Sequence, residues 1–417
     1  MIPPVAVSDL YPSVQQDVAR LAGSPEVRLA FGRFRSQESQ FALWQMEATR
    51  VAAPPFGEAA RGLWLADRFR ELGLVDVQVD EVGNVFGIRP GYGRRLVSLS
   101  AHIDTVFPAT TPLHIRQQGS RLYGPGVADN GAGIAAMLAV ASVLGSARIS
   151  HALPFVFIGN VGEEGEGDLR GMRHVFATPH WRDAIAYSVI VDGAGADTVV
   201  AEALGSRRFE TTVRGPGGHS WSDFGAPNPI IALSRAIELF SQTPVPVSPK
   251  TTFNVGVIRG GTSVNSIPES ASMRVDLRST SMAEIDRMER SLREALDQAV
   301  ALENQAAASP HGGRKPAVLQ SEVVEIGNRP AGELAPDARI LKVIRAVDAQ
   351  LGNTAQVQRA STDANIPLAL GREAIAMGGG GSGGGAHTLQ EWFDCNGRDL
   401  GLRRILLTML ALSGVGE

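Results

Sequence analysis

The chain has one cysteine, Cys395, among 417 residues. No internal disulfide can form, and a reducing compartment is the expected setting. No apolar run approaches the ~20 residues of a membrane-spanning helix, and Met1-Ile-Pro-Pro4 lacks the basic start and apolar core of a secretory signal, so a cytoplasmic location is expected. Basic residues are not in excess: Lys and Arg number 39 against 43 Asp and Glu, for a net charge of -4, and they are interspersed rather than clustered. Nothing in that balance offers a footprint for nucleic acid or an anionic membrane, which leaves small molecules as the expected partners. A dinucleotide fingerprint is also missing. Gly124-Pro-Gly-Val-Ala-Asp129 puts an acid where the third glycine would stand, and a carboxylate there repels phosphate. There is no internal repeat.

What is present is enough apolar residue, 44%, to bury two cores, and a chain of this length is expected to form two domains. Residues 11–75 read as helical, with Leu63-Trp-Leu-Ala-Asp-Arg-Phe-Arg-Glu-Leu72 apolar at helix spacing and Gly73 as a stop. Strand-like runs at 85–88, 96–99, 153–158 and 187–191 then alternate with a helix at 133–144, the pattern of an α/β layer. From about 206 the pattern changes. Alternating strands at 208–214, 253–258 and 273–277 are interleaved with helices at 229–241 and 282–302, and Ala307–Pro316 reads as a loop. A helix at 337–351 and a strand at 374–377 then resume the first pattern. The expected fold is therefore an α/β catalytic domain with a mixed sheet and helices on both faces (1–205 and 326–417), interrupted by a small α+β domain (206–325).

Seven side chains carry the chemistry. His102 and Asp104 stand two apart after an apolar run, so on an extended chain they project to one side, where the carboxylate can fix the imidazole tautomer. A strand-end histidine beside a turn aspartate would look the same. Asp129 sits in a glycine-rich turn before a helix. Glu163 and Glu164 are adjacent at the end of an apolar strand, where like charges are costly without a compensating cation. One of them can hold a metal while the other takes a proton from attacking water, and a solvated acidic turn is the alternative. Asp192 ends another apolar run in an Asp-Gly turn. His387 follows Gly378-Gly-Gly-Gly-Ser-Gly-Gly-Gly385, a run that resembles a flexible linker but is preceded by an apolar strand. Imidazoles, carboxylates and a non-ligating base are what a hydrolytic divalent metal site requires. His114, His151, His174, His180 and His311 lack such contexts and read as surface or loop residues.

Taken in this order, the motifs resemble the co-catalytic metallopeptidase family of tripeptidase T, carnosine dipeptidases, glutamate carboxypeptidase, acetylornithine deacetylase and aminoacylase, over nearly the whole chain. Ser361-Thr-Asp-Ala-Asn-Ile-Pro367 and Gly165-Glu-Gly-Asp-Leu-Arg-Gly171 look closest to the tripeptidase-T-like branch. The resemblance implies two divalent metals, zinc foremost with manganese or cobalt as alternatives. His102, Asp129 and Asp192 would hold one; Asp129, Glu164 and His387 would hold the other, with Asp129 bridging. It implies that Asp104 orients His102, that Glu163 is the general base, and that the inserted domain is a lid and homodimerisation domain. From that domain His219 would steady the oxyanion in the partner protomer. Asn265 and Arg278 would bear on substrate, and Asp363 and Asn365 are further substrate-binding candidates. Asn130 and Gly131 depart from the many relatives that carry an acid or a lysine after the bridging aspartate.

The expected activity is a di- or tripeptidase or aminopeptidase, since Asp at 192 resembles the aminopeptidase and dipeptidase members. An acyl amino acid deacylase, a carboxypeptidase or another aminohydrolase is the nearest rival. A catalytically silent binding relative is a second rival, although no ligand or base is missing from the sequence.

Overall fold

The computed structural model describes residues 12–307 and 318–414. Met1–Pro4, residue 11, His311 and all but the first residue of the loop expected at 307–316 lie outside them. The first segment carries helices α1 (Pro12–Gly23), α2 (Pro25–Ser36), α3 (Glu38–Arg50) and α4 (Ala59–Glu71), strands β1 (Val75–Val79), β2 (Val85–Arg89), β3 (Leu96–His102), β4 (Arg116–Gln118) and β5 (Arg121–Tyr123), then α5 (Gly131–Ser146), β6 (Phe155–Asn160), α6 (Arg170–Ala177), α7 (Pro179–Ala184), β7 (Ile185–Val191) and β8 (Thr198–Ala203). The middle segment carries β9 (Gly205–Arg214), β10 (Gly218–His219), α8 (Pro229–Ser241), β11 (Thr251–Gly260), β12 (Ser266–Ile267), β13 (Ser270–Ser279), α9 (Met282–Ala306) and β14 (Gln320–Arg329). The last carries β15 (Gly332–Glu333), α10 (Arg339–Leu351), β16 (Gln356–Ala360), α11 (Asn365–Ala369), β17 (Glu373–Met377), β18 (Ser382–Gly384), β19 (Trp392–Asp394) and α12 (Arg398–Ser413).

These elements form two compact units, Met1–Ala203 with Gly332–Glu417, and Leu204–Ala331. The expected return to the first pattern at 326 falls later, because β14 stays paired to β9 as far as Arg329. In the first unit a nine-stranded sheet runs β1-β2-β6-β3-β7-β17-β8-β15, with β16 beside β8. Its centre, β6-β3-β7-β17, is parallel, while β1, β2 and β15 run antiparallel to their neighbours. The alternation of side chains along each strand explains why these runs read as continuously apolar. Phe155, Phe157, Val189, Val191, Ile375 and Met377 pack into a core with α1–α5, α10 and α12. Their alternates Val156 and Ile158 pack against α6 and α7, and Ile190, Ala374 and Ala376 against α11. Both faces are thus covered.

The second unit is a four-stranded antiparallel sheet, β11-β13-β9-β14. Phe209, Val213, Met273, Val275 and Leu277 pack there with Leu233, Phe240, Met288 and Leu292 of α8 and α9. Ser281 caps α9 by accepting from the Glu284 amide. Among the described residues no helix is long and apolar enough to cross a membrane.

Candidate metal centre

The parallel strands deliver the acidic and imidazole groups to one edge of the first unit. His102 is the last residue of β3, Glu163 and Glu164 follow β6, Asp192 follows β7, and the segment after β17 leads to His387. In an open α/β sheet this C-terminal edge is where loops diverge and leave room for a ligand. Three groups of side chains bring one donor atom each within 4.8 Å of one another: His102 with Asp129 and Asp192; Asp129 with Glu164 and His387; and His102 with Glu163 and Glu164.

His102 and Asp104 are fully buried. The ring Nδ1 lies 3.2 Å from the Asp104 carbonyl oxygen and 3.5 Å from its Oδ1. A proton on Nδ1 directed at those acceptors leaves the Nε2 lone pair facing inward. That nitrogen looks onto Asp129 Oδ1 at 3.1 Å and Asp192 Oδ1 at 3.7 Å. The Asp104 carboxylate also joins the ends of β3 and β6, its two oxygens accepting from the amides of Glu163 (3.0 Å) and Glu164 (2.8 Å). Behind the same segment the buried Arg61 donates to the Ile103 carbonyl at 2.8 Å.

On the other side of Asp129, His387 Nε2 lies 3.2 Å from Oδ2 and 2.9 Å from Glu164 Oε1. Asp129 therefore stands between two imidazole nitrogens, one addressed by each oxygen. Burial alone would pull the His102 imidazole down; Asp104, Asp129 and Asp192 overcome it and hold the ring well above its ordinary range. The bond to Asp129 likewise pushes His387 up to about 9, against partial burial. Glu164 is raised by burial. These shifts describe an anionic pocket short of positive charge. Asp129 Oδ1 is buried with no hydrogen bond of good geometry, so its 3.1 Å approach to His102 is a meeting of two donor atoms rather than a bond between them. The donor set is mixed imidazole and carboxylate, the type that suits zinc and similar divalent metals. The residues fit a metal pair.

Two residues that sequence reasoning left without a role hold this arrangement. Glu391 is fully buried; its Oε2 accepts from the Gly126 amide and its Oε1 from those of Ala128 and Asp129, each at 2.7 Å. Asn130, noted only as a departure, is also fully buried. Its Nδ2 donates to the Val191 carbonyl (2.8 Å), and its Oδ1 accepts from the amides of Gly133 and Gly193 (3.0 Å each), tying the Asp129 turn and the start of α5 to the residues flanking Asp192. The glycine run is a packed turn rather than a linker. A Cβ at Gly380, where φ is +86°, would lie 2.4 Å from the Arg398 carbonyl oxygen.

Asp363 and Asn365 are fully buried. Asp363 accepts from Asn160 Nδ2 at 2.6 Å, and burial raises its carboxyl to about 7; Asn365 Oδ1 accepts from the Thr362 amide. In the second unit, His219 is exposed and pairs with Ser266 across β10 and β12. Its Nδ1 accepts from the Trp221 amide at 3.1 Å, and its own amide donates to Asp223. Asn265 accepts from the Ser263 hydroxyl, and Arg278 donates to Asp276 at 2.6 Å. His151 lies in a loop, as expected, but that loop is not at the surface: the residue is 4% exposed, with its ring stacked on Phe155 at 4.1 Å.

The fold and this cluster define a class of protein built around a candidate metal pair. The family model for peptidase family M20/M25/M40 matches residues 98–409, and the chain belongs to that family. Among curated proteins it is similar to a probable carboxypeptidase of Ajellomyces dermatitidis, 29% identical over 49% of this chain and 50% of that protein. It is also similar to a succinyl-diaminopimelate desuccinylase of Nitrosococcus oceani, 28% identical over 58% of this chain and 69% of that one. The chain spans about half the length of the probable carboxypeptidases it matches. Among solved structures it shares its fold with the aminopeptidase PepT of Bacillus cereus, at a TM-score of 0.71 and 19% identity, covering 90% of this chain and 99% of that one.

Proposed function

We propose that the chain is a two-metal amide hydrolase acting on di- or tripeptides from their amino end. The observation that carries this reading is the position of Asp129, with one oxygen 3.1 Å from His102 Nε2 and the other 3.2 Å from His387 Nε2. In this reading His102, Asp129 and Asp192 hold one cation and Asp129, Glu164 and His387 the other, zinc being the first candidate and manganese or cobalt the alternatives. Bound divalent metal would polarise the scissile carbonyl and make a water acidic enough to lose its proton near neutral pH.

The chain's own groups then divide the remaining work. Glu163 accepts the water proton and returns it to the leaving amine; its place beside His102 and Glu164, 6% exposed, supports this. Asp104 holds the His102 tautomer and both glutamate amides. Asp363 and Asn365, being buried, serve as positioning residues behind the site rather than as direct substrate contacts. For the second unit the reading keeps His219 as the oxyanion donor, since occupation of its Nδ1 leaves Nε2 as the protonated nitrogen. Asn265 and Arg278 remain its substrate contacts and the homodimer its assembly.

The carboxypeptidase and desuccinylase similarities favour a second reading in which the same chemistry acts on other amides. Purified protein loaded in turn with zinc, manganese and cobalt and assayed on dipeptides, tripeptides and acyl amino acids tests both. Turnover of free-amino peptides is the expected result, turnover confined to acyl amino acids would transfer the chain to the deacylase reading, and inactivity with every metal and substrate would remove the hydrolase reading itself.

A further inference from the structure

Beside the metal centre, within the first unit, lies an open cleft of about 610 Å³ lined by His114, Arg116, Tyr123, Gly124, Leu389 and Glu391 among others. Its walls are extensions of the site. Gly124 opens the turn that leads to Asp129, and Leu389 and Glu391 stand two and four residues after His387. The Gly124 amide donates to the Glu391 carbonyl at 2.9 Å, and Tyr123 pairs with Trp392 across β5 and β19. The cleft is thus bordered by the two segments that carry the bridging carboxylate and the exposed imidazole.

Arg116 and Tyr123 face each other across β4 and β5, and the guanidinium lies 5.2 Å from the phenol ring centroid. Such a contact orients an arginine without consuming its N–H donors. Arg121, two positions along the hairpin, is paired with Asp394 at 3.0 Å. No carboxylate of the described residues is paired with Arg116. The acid in the cleft wall, Glu391, has both oxygens committed to the amides of Gly126, Ala128 and Asp129. The uncompensated charge in the cleft is therefore that of an exposed, ring-oriented guanidinium, a group whose planar fork matches a carboxylate.

Resting on the amide-hydrolase reading, we propose that this cleft is a substrate subsite and that Arg116 selects amides bearing a carboxylate on the part of the substrate it receives. Three sources share that chemistry: an acidic side chain on the amino-terminal residue, an acidic side chain on the carboxy-terminal residue, and a dicarboxylic acyl group. Three matched pairs separate them, namely Glu-Ala with Gln-Ala, Ala-Glu with Ala-Gln, and succinyl-alanine with acetyl-alanine.

The test compares metal-loaded wild-type protein with Arg116→Ala and Arg116→Lys. In at least one pair the acidic member should be preferred by wild type. In Arg116→Ala that preference should fall on the order of tenfold, the scale of a charge-assisted hydrogen bond, through KM with kcat unchanged, and the member of each pair without the additional carboxylate should change far less. Arg116→Lys should retain part of the preference. Because Arg116 is exposed, the variants should fold, which circular dichroism checks. An acid preference that is the same in wild type and Arg116→Ala overturns the proposal, as does the absence of acid preference in every pair. If no compound turns over with any metal, the hydrolase reading fails, and the subsite is then decided by calorimetric binding of the same six compounds. Acid-selective binding lost in Arg116→Ala supports it; binding without acid selectivity, or selectivity unchanged in the variant, overturns it.

Discussion

The Glu391 carboxylate grips the backbone on which Asp129 is mounted, accepting from the amides of Gly126, Ala128 and Asp129 itself at 2.7 Å each. Burial pushes Glu391 up to about 7, opposed by those same amides. Those bonds fix the turn that carries Asp129. Replacing Glu391 by Ala would leave three buried N–H groups without acceptors, and supporting groups of this kind are typically worth ~10 to 100-fold in metal affinity. Metal titration of the purified variant, alongside circular dichroism, should show weakened metal binding with the fold retained; wild-type affinity would remove Glu391 from this role.

Glu163→Gln should keep its metal and lose ~2 to 4 orders of magnitude in turnover, the usual scale of general acid-base work. Elemental analysis together with initial rates on the best substrate measures both. Retained turnover would exclude Glu163 as the base.

Asn130→Ala removes a fully buried side chain with three hydrogen bonds to Val191, Gly133 and Gly193. Unsatisfied buried groups cost about 1–3 kcal/mol each, less where water enters. A fall in melting temperature is expected, with metal affinity falling too because the same side chain ties Asp129 to the Asp192 turn. An unchanged melting curve would mean that water replaces the amide fully.

Metal-free protein should respond to pH through its imidazoles. The folded value of His387, about 9, lies above its ordinary 6.5. Its protonated form therefore contributes stability that is complete below about 6.5 and is lost as pH rises through about 9. His102 is shifted in the same direction. The melting temperature of the metal-free protein should fall between about pH 6.5 and about 9.5, while apparent metal affinity rises over that interval, because ligation needs the deprotonated rings. Removing metal with a chelator and repeating the melts at each pH checks the sign; a metal-free melting temperature that rises with pH would contradict it.

Much of the centre was legible because its residues stand at the ends of apolar strands, where pattern and chemistry coincide. His102 closes β3, and Asp192 follows β7 directly. Glu391 gave no such signal. Nothing in Thr388-Leu-Gln-Glu-Trp-Phe393 marks it, and its partners lie more than 260 residues earlier in the chain. Asn130 was visible only as a departure, since what it does depends on the Val191 carbonyl, which no local pattern reveals. Helix α12 also escaped, because it is buried on nearly every side and has no polar stripe to mark its period. The hairpin of β4 and β5, which carries Arg116, has strands of three residues each, too short for alternation to register.

The site's groups come from both sides of the inserted unit: His102, Asp129, Glu164 and Asp192 precede it, and His387 follows it. During synthesis the earlier four are made before the insert, but Glu391, whose carboxylate holds the Asp129 turn, is made after it, so both groups that share Asp129 wait on the last segment of the chain. A premature stop anywhere in the insert would release a polypeptide lacking β17, His387 and Glu391, and so lacking both an imidazole of the cluster and the support of its central carboxylate.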